Sequence, residues 1–192
     1  MTDIIRPGVG SLFKKVGTHA QETLENIIAR KTKEIEDAGY ALWGYGGNTC
    51  HPQSMVQPFA KSFEQRGSVI YLCMHEMESK HFAQQLRADQ FSVDGTTWKD
   101  IPAAINVLGS RYALAIKRLR HEEFELPLTR TRVAIGNSQG RPGHRYISGR
   151  VDKACLEVVE AGSGSTSEQP SIHIGLVAEL LEPYAVYVRS RS

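Results

Sequence analysis

Hydrophobic residues in the first quarter of the chain recur at the spacing of a helix. Ala20, Leu24, Ile27, Ile28, Ile35 and Ala38 form one apolar stripe, which predicts a helix over 21–38. Thr18 and Gln21 fit a capping box at its start, and Gly39 is the expected stop. Arg30–Glu34 and Lys33–Asp37 are spaced to pair across one turn on the wet face. Short strands are predicted on either side, over 11–16 and 40–45. A second helix is predicted over 58–66, with Pro58 near its first position and Gly67 ending it. Residues 68–75 are apolar on both faces, the pattern of a buried central strand. Phe91 to Trp98 alternate around Asp94-Gly95 and predict a hairpin. Residues 102–108 read as one or two helical turns. From Tyr112 onward the pattern is strand, over 112–119, 131–136, 145–159, 172–181 and 184–189. The Gly/Ser-rich stretch 162–167 reads as a flexible loop.

Helices first and strands afterwards predict one α+β domain over 1–192. Two or three helices in the N-terminal half would pack on a curved, mainly antiparallel sheet or a small β-barrel. This order of elements resembles the layout of small PUA-like barrels, which bind nucleic acid. The resemblance lies in the layout alone and implies a barrel with a nucleic-acid partner.

Composition narrows the class. The chain has 192 residues, 41% hydrophobic and 23% charged, values of a globular domain that exclude disordered, collagen-like or coiled-coil readings. No apolar run approaches the ~20 residues that cross a bilayer, so no membrane partner is expected. Met1 to Pro7 lack the basic and apolar regions of a secretion signal. Cys50, Cys73 and Cys155 are odd in number and widely spaced, which fits a reducing, cytoplasmic setting better than a disulfide framework.

The net charge of +2 conceals a segregation. Residues 110–153 hold ten basic side chains against four acidic, whereas residues 154–188 hold five acids and no base. Clustered arginine suits an anionic partner. The acids that follow, Glu157 and Glu179 among them, could instead neutralise it internally.

Three segments carry candidate chemistry. In Trp43-Gly44-Tyr45-Gly46-Gly47-Asn48-Thr49-Cys50-His51-Pro52, Trp43 and Tyr45 would share one face of a strand, where aromatic rings stack nucleobases at about 1–3 kcal/mol each. Gly46, Gly47, Asn48 and His51 follow as a loop that a ligand can approach closely; the alternative is a pair of core aromatics before a Gly-rich turn. Lys14 and His19 flank the predicted helix start, where free N–H groups receive anions. In the stretch 130–150, Arg130 and Arg132 lie on a strand, and Ser138, Arg141 and Arg145 on or beside a polar loop, a combination able to hold phosphate.

These segments point to a binding module for a nucleotide or nucleic acid, with no cofactor and no metal. His75-Glu76-Met77-Glu78-Ser79-Lys80-His81 departs from His-Glu-x-x-His spacing. One alternative is a protein-interaction, inhibitor or adaptor module, because Trp, Tyr and Arg also anchor protein interfaces. A second is an enzyme acting on a phosphorylated substrate through His19, Cys50, His51, His75 and Glu76.

Overall fold

In the computed structural model the strand β1 (Gly10–Val16) runs parallel to β3 (Ile70–Glu76), Leu12 opposite Leu72. Parallel neighbours require a crossover. Here it consists of α1 (Leu24–Ala38), β2 (Ala41–Gly46) and α2 (Gln53–Glu64), and it carries both helices to one face of the sheet. The structure describes residues 3–17, 22–46, 52–77, 86–108, 110–147, 153–160 and 170–191.

The remaining pairings are antiparallel and complete a nine-stranded sheet. Its strands are β4 (Gln90–Ser92), β5 (Lys99–Asp100), β6 (Tyr112–Pro127), β7 (Thr131–Val133), β8 (Lys153–Val158) and β9 (Ser171–Arg189), with the four-residue helix α3 (Gly143–Tyr146) before β8. The main path runs β2-β6-β9-β3-β1-β8-β7. β6 borders β9 for nearly its whole length, from Tyr112 opposite Tyr187 to Pro127 opposite Ser171. The other edge of β9 is divided, taking β3 at Leu176–Glu179 and β4 at Tyr187–Arg189. The path ends at β2 and β7, so of the two expected forms the mainly antiparallel sheet is present and the closed barrel is not.

Both faces are covered, which is why Leu12 and Phe13, adjacent in β1, are both fully buried. Leu12, Leu72, Leu114 and Leu176 pack beneath the helices with Val56, Phe59 and Phe63. Phe13, Cys73, Phe124, Leu126 and Val177 form a second core on the opposite face. A third cluster sets Leu42, Ala113 and Val186 against Ile101, Ile105 and Val107.

The predicted helix 21–38 begins later, at Leu24, because Thr23 is its cap: Thr23 Oγ1 accepts from Asn26 N at 3.2 Å. Thr18 and Gln21 lie outside the described residues. Gly39 ends the helix at φ 81°, its N–H donating to Ile35 O at 2.8 Å. α2 starts at Gln53 rather than Pro58, which sits inside the helix. Proline there forfeits one helical hydrogen bond. The buried face of Gln53, Val56, Phe59, Ala60 and Phe63 holds the turn against the sheet nonetheless.

Other boundaries shift for similar reasons. Residues 102–108 form a turn closed by Ile105 N to Pro102 O at 2.9 Å, not a helix. β6 continues past 119 through charged residues because β9 goes on pairing with it as far as Pro127, across irregularities at 118–119 and 122–123. The two strands predicted over 172–181 and 184–189 are one, β9, interrupted in its pairing with β6 near Pro183 and Tyr184. The strand predicted over 145–159 is α3 followed by β8, and the one over 131–136 stops at Val133. The loop predicted over 162–167 lies outside the described residues. The hairpin at Asp94-Gly95 pairs β4 with β5, and Asp94 Oδ1 accepts from Thr96 N and Thr97 N, both at 2.7 Å.

The cap assignment has a measurable consequence: Thr23→Ala should lower stability by about 1 kcal/mol in urea denaturation.

Candidate functional site

The stripe of α1 continues through two charged residues. Lys31 and Glu34 occupy apolar-face positions between Ile27 and Ala38 and are only 4% and 2% exposed. Lys31 Nζ donates to Glu34 Oε2 at 2.8 Å, and to Leu42 O and Asn106 O, each at 2.7 Å. Glu34 Oε1 accepts from Arg30 Nη1 and from Asn106 N, both at 3.1 Å. Arg30 also donates to Asn106 O at 3.0 Å and grips Glu22 with Nε and Nη2 at 2.9 and 2.7 Å. The expected pairing Arg30–Glu34 is present, but on the buried side; Lys33–Asp37, at 2.8 Å, is the exposed pair.

This network forms one wall of a cavity of about 250 Å³. The end of β1 (Lys14, Lys15, Val16, Gly17) makes a second wall, and Trp43 and Gly44 of β2 make a third. Leu24 and Ile27 of α1, with Asn106, Val107, Leu108 and Ser110, complete the lining. The Ser110 hydroxyl lies where a Cβ on Gly44 would go, so this closeness of segments requires glycine at 44.

Lys14 Nζ donates to Gly44 O and lies 5.8 Å from the centre of the Tyr45 ring. Lys153, its neighbour across β8, approaches the same ring at 5.7 Å. Burial, reinforced by the like charge of Lys153, lowers the Lys14 ammonium to a pKa of about 7. Burial likewise lowers Lys31 to about 8, with Glu34 opposing the shift.

The structure therefore joins two of the three candidate segments. Lys14 and Trp43 border the same cavity, Trp43 with only 5% of its surface exposed. Trp43 and Tyr45 do share a face, but that face is the core beneath the helices. Tyr45, 1% exposed, packs on Tyr112 and donates to Phe13 O at 3.1 Å, so it builds the wall behind the cavity and does not line it. Gly46 pairs with Tyr112 in the sheet. Gly47, Asn48, His51 and His19 lie outside the described residues.

The third segment lies apart. None of Arg130, Arg132, Ser138, Arg141 and Arg145 borders the cavity. Arg130 ends a 3-10 turn and donates to Ile5 O at 3.3 Å. Arg132 donates to Glu157 Oε2 at 3.1 and 2.9 Å, and Glu157 also receives Arg66. Glu179 takes Arg118 at 3.0 Å, with Lys117 and Arg120 within 4 Å. The acids of the last third thus neutralise part of the basic block. Arg141 and Arg145 stay exposed, and Ser138 O accepts from Arg141 N at 3.0 Å.

Of the residues considered for catalysis, only His75 and Glu76 lie among the described residues. Cys50, His51, Glu78 and His81 lie outside the described residues. Burial pushes the Cys73 thiol up to about 12, far from a thiolate nucleophile. His75 Nδ1 sits 2.7 Å from His173 O, and Glu76 is exposed. Among the described residues no three His, Cys, Asp or Glu side chains are placed to hold a metal ion, and no helix is long and apolar enough to cross a membrane.

Glu34 is buried and not on the wet face expected for its pair with Arg30, and Lys31, which the sequence does not single out, is buried beside it; their positions in the stripe are the signal for both. The chain matches no family model, no curated protein and no solved structure in the comparisons made.

Two predictions follow from the buried charges. Glu34→Ala should cost about 3–5 kcal/mol in chemical denaturation, because it strands the Lys31 ammonium without its counter-ion. The second concerns pH. The unfolded chain keeps both lysines protonated to about pH 10, while the folded chain releases those protons near 7 and 8. The unfolded state then binds more protons, so stability should rise with pH between about 7 and 9. Lys14→Met should flatten the lower part of that rise, as read by urea midpoints across the range.

Proposed function

We propose that this chain is a binding module for a nucleotide or a nucleic-acid segment, which seats a flat ring in the cavity between β1, α1 and β2. The observation that carries the reading is the convergence of Trp43 and Gly44 with Lys14 and Lys15 on one partly apolar space. At about 250 Å³ the space falls just below the ~300–1,000 Å³ of drug-sized ligand sites, a scale suited to a single ring system. The lysines at the end of β1 would face the phosphate, and the apolar walls from Leu24, Ile27 and Leu108 would enclose the ring. Arg141, exposed elsewhere on the surface, would meet a longer strand rather than the same ligand.

Tryptophan emission tests this reading. The chain has two tryptophans, and Trp98 lies under the Arg189 guanidinium in the β4–β5 hairpin region, away from the cavity lining. In a Trp98→Phe background, the ribonucleoside 5′-monophosphates and a short single-stranded oligonucleotide should change the Trp43 emission. Oligonucleotide affinity should fall steeply between low and moderate salt, and Lys14→Ala should weaken binding roughly tenfold, the scale of one charge-assisted hydrogen bond. An emission spectrum unmoved by every probe, or binding indifferent to salt, rejects the proposal.

A further inference from the structure

Leu12 of β1 and Cys155 of β8 lie opposite each other, and both belong to the core beneath the helices. Alternate residues of a strand share a face, so the next pair on that face is Lys14 opposite Lys153. The helix-covered side of the sheet thus carries two lysines on one rung, each half-buried, at the end where Lys14 borders the cavity. Their ammonium groups approach the same aromatic ring, 5.8 and 5.7 Å from the centre of Tyr45, within cation–π range. Lys14 Nζ also donates to a neutral acceptor, Gly44 O.

Like charges set directly opposite each other destabilise a sheet. The repulsion is felt here: after burial, the charge of Lys153 is what lowers the Lys14 ammonium. Lys31, the amine that ties α1 to its neighbours, is met by the carboxylate of Glu34. Lys14 is met by a second amine instead. Two amines converging from neighbouring strands form a receptor for an anion, whose charge turns their repulsion into two attractions. Resting on the reading of the cavity as a base site, we propose that Lys14 and Lys153 form its phosphate subsite, built for a terminal phosphate monoester. Trp43 and Lys14 border one space, so a ligand with its ring at Trp43 would bring its phosphate to Lys14. Lys153, one strand beyond, would meet the phosphate from the β8 side. Two lysines match the charge of about −1.5 to −2 on a monoester at neutral pH, whereas a diester brings a single charge. The ligand class is thereby narrowed to nucleotides with a free phosphate, in preference to nucleosides or the interior of a strand.

The test uses the full chain with Trp98→Phe, alone and combined with Lys153→Met, Lys153→Gln or Lys153→Arg. The four ribonucleoside 5′-monophosphates are titrated by Trp43 emission, and the tightest is compared with its methyl phosphodiester. The parent should prefer the monoester by roughly tenfold, the scale of one charge-assisted hydrogen bond. Lys153→Met and Lys153→Gln should abolish that preference, and Lys153→Arg, which keeps the charge, should retain it. The ratio of the two affinities is the readout, so a general loss of stability in a variant does not enter. Separately, inorganic phosphate should raise the melting temperature of the parent above that in sodium chloride of equal ionic strength, and Lys153→Met should remove the difference. A parent that binds monoester and diester equally, or a Lys153→Met or Lys153→Gln variant that keeps the preference, overturns the inference and leaves the base site standing. A parent that binds no nucleotide, yet is stabilised by inorganic phosphate through Lys153, overturns the base site and leaves the anion subsite standing. A parent indifferent to nucleotides and to phosphate overturns both.

Discussion

Burying the ammonium of Lys31 is the constraint around which this end of the molecule is arranged. Removing a charged amine from water costs several kcal/mol unless its donors and its charge are met. Lys31 has three N–H donors, and Glu34, Leu42 O and Asn106 O take all three. Those acceptors belong to α1, β2 and the segment before β6, so a single side chain ties three parts of the chain to one point. Glu34 in turn needs its own partners, and Arg30 and the Asn106 N–H supply them. Lost packing at one site is absorbed locally, whereas losing one member of this set leaves the others charged and dry.

The same arrangement explains why a cavity exists at this place. β1 and β2 are not neighbours in the sheet, yet its curl brings them face to face. No ladder joins them. The seam is crossed by side chains instead, Tyr45 reaching Phe13 O and Lys14 reaching Gly44 O. A seam bridged by side chains leaves space that a ladder would close, and α1, pinned by Lys31, roofs that space.

Much of the fold was legible because burial writes itself into periodicity. The end of α1 at Gly39, the central strand β3 apolar on both faces and the Asp94-Gly95 hairpin all followed from local rules. The start of α2 was hidden because Pro58 looks like a first-turn proline, and only tertiary packing of Val56 and Phe59 carries the helix across it. The extent of β6 was hidden for the opposite reason: its charged middle reads as loop, and a partner strand distant in sequence keeps it extended. Of the site, Trp43 and Lys14 were named from residue type and spacing. That they meet depends on the curl of the sheet, which no local pattern encodes.

The basic block that dominates the charge pattern also changes meaning in three dimensions. Glu157 and Glu179 each draw in more than one cation, so the segment 110–153 is partly a set of internal ion pairs. The cations that line the cavity, Lys14, Lys15, Arg30 and Lys31, come from β1 and α1 instead, and the charge of Lys14 is suppressed by burial and by Lys153. A lysine held near neutrality is half-charged in the free protein. An anion placed beside it would favour the charged form and raise its pKa, so that binding and proton uptake become one event.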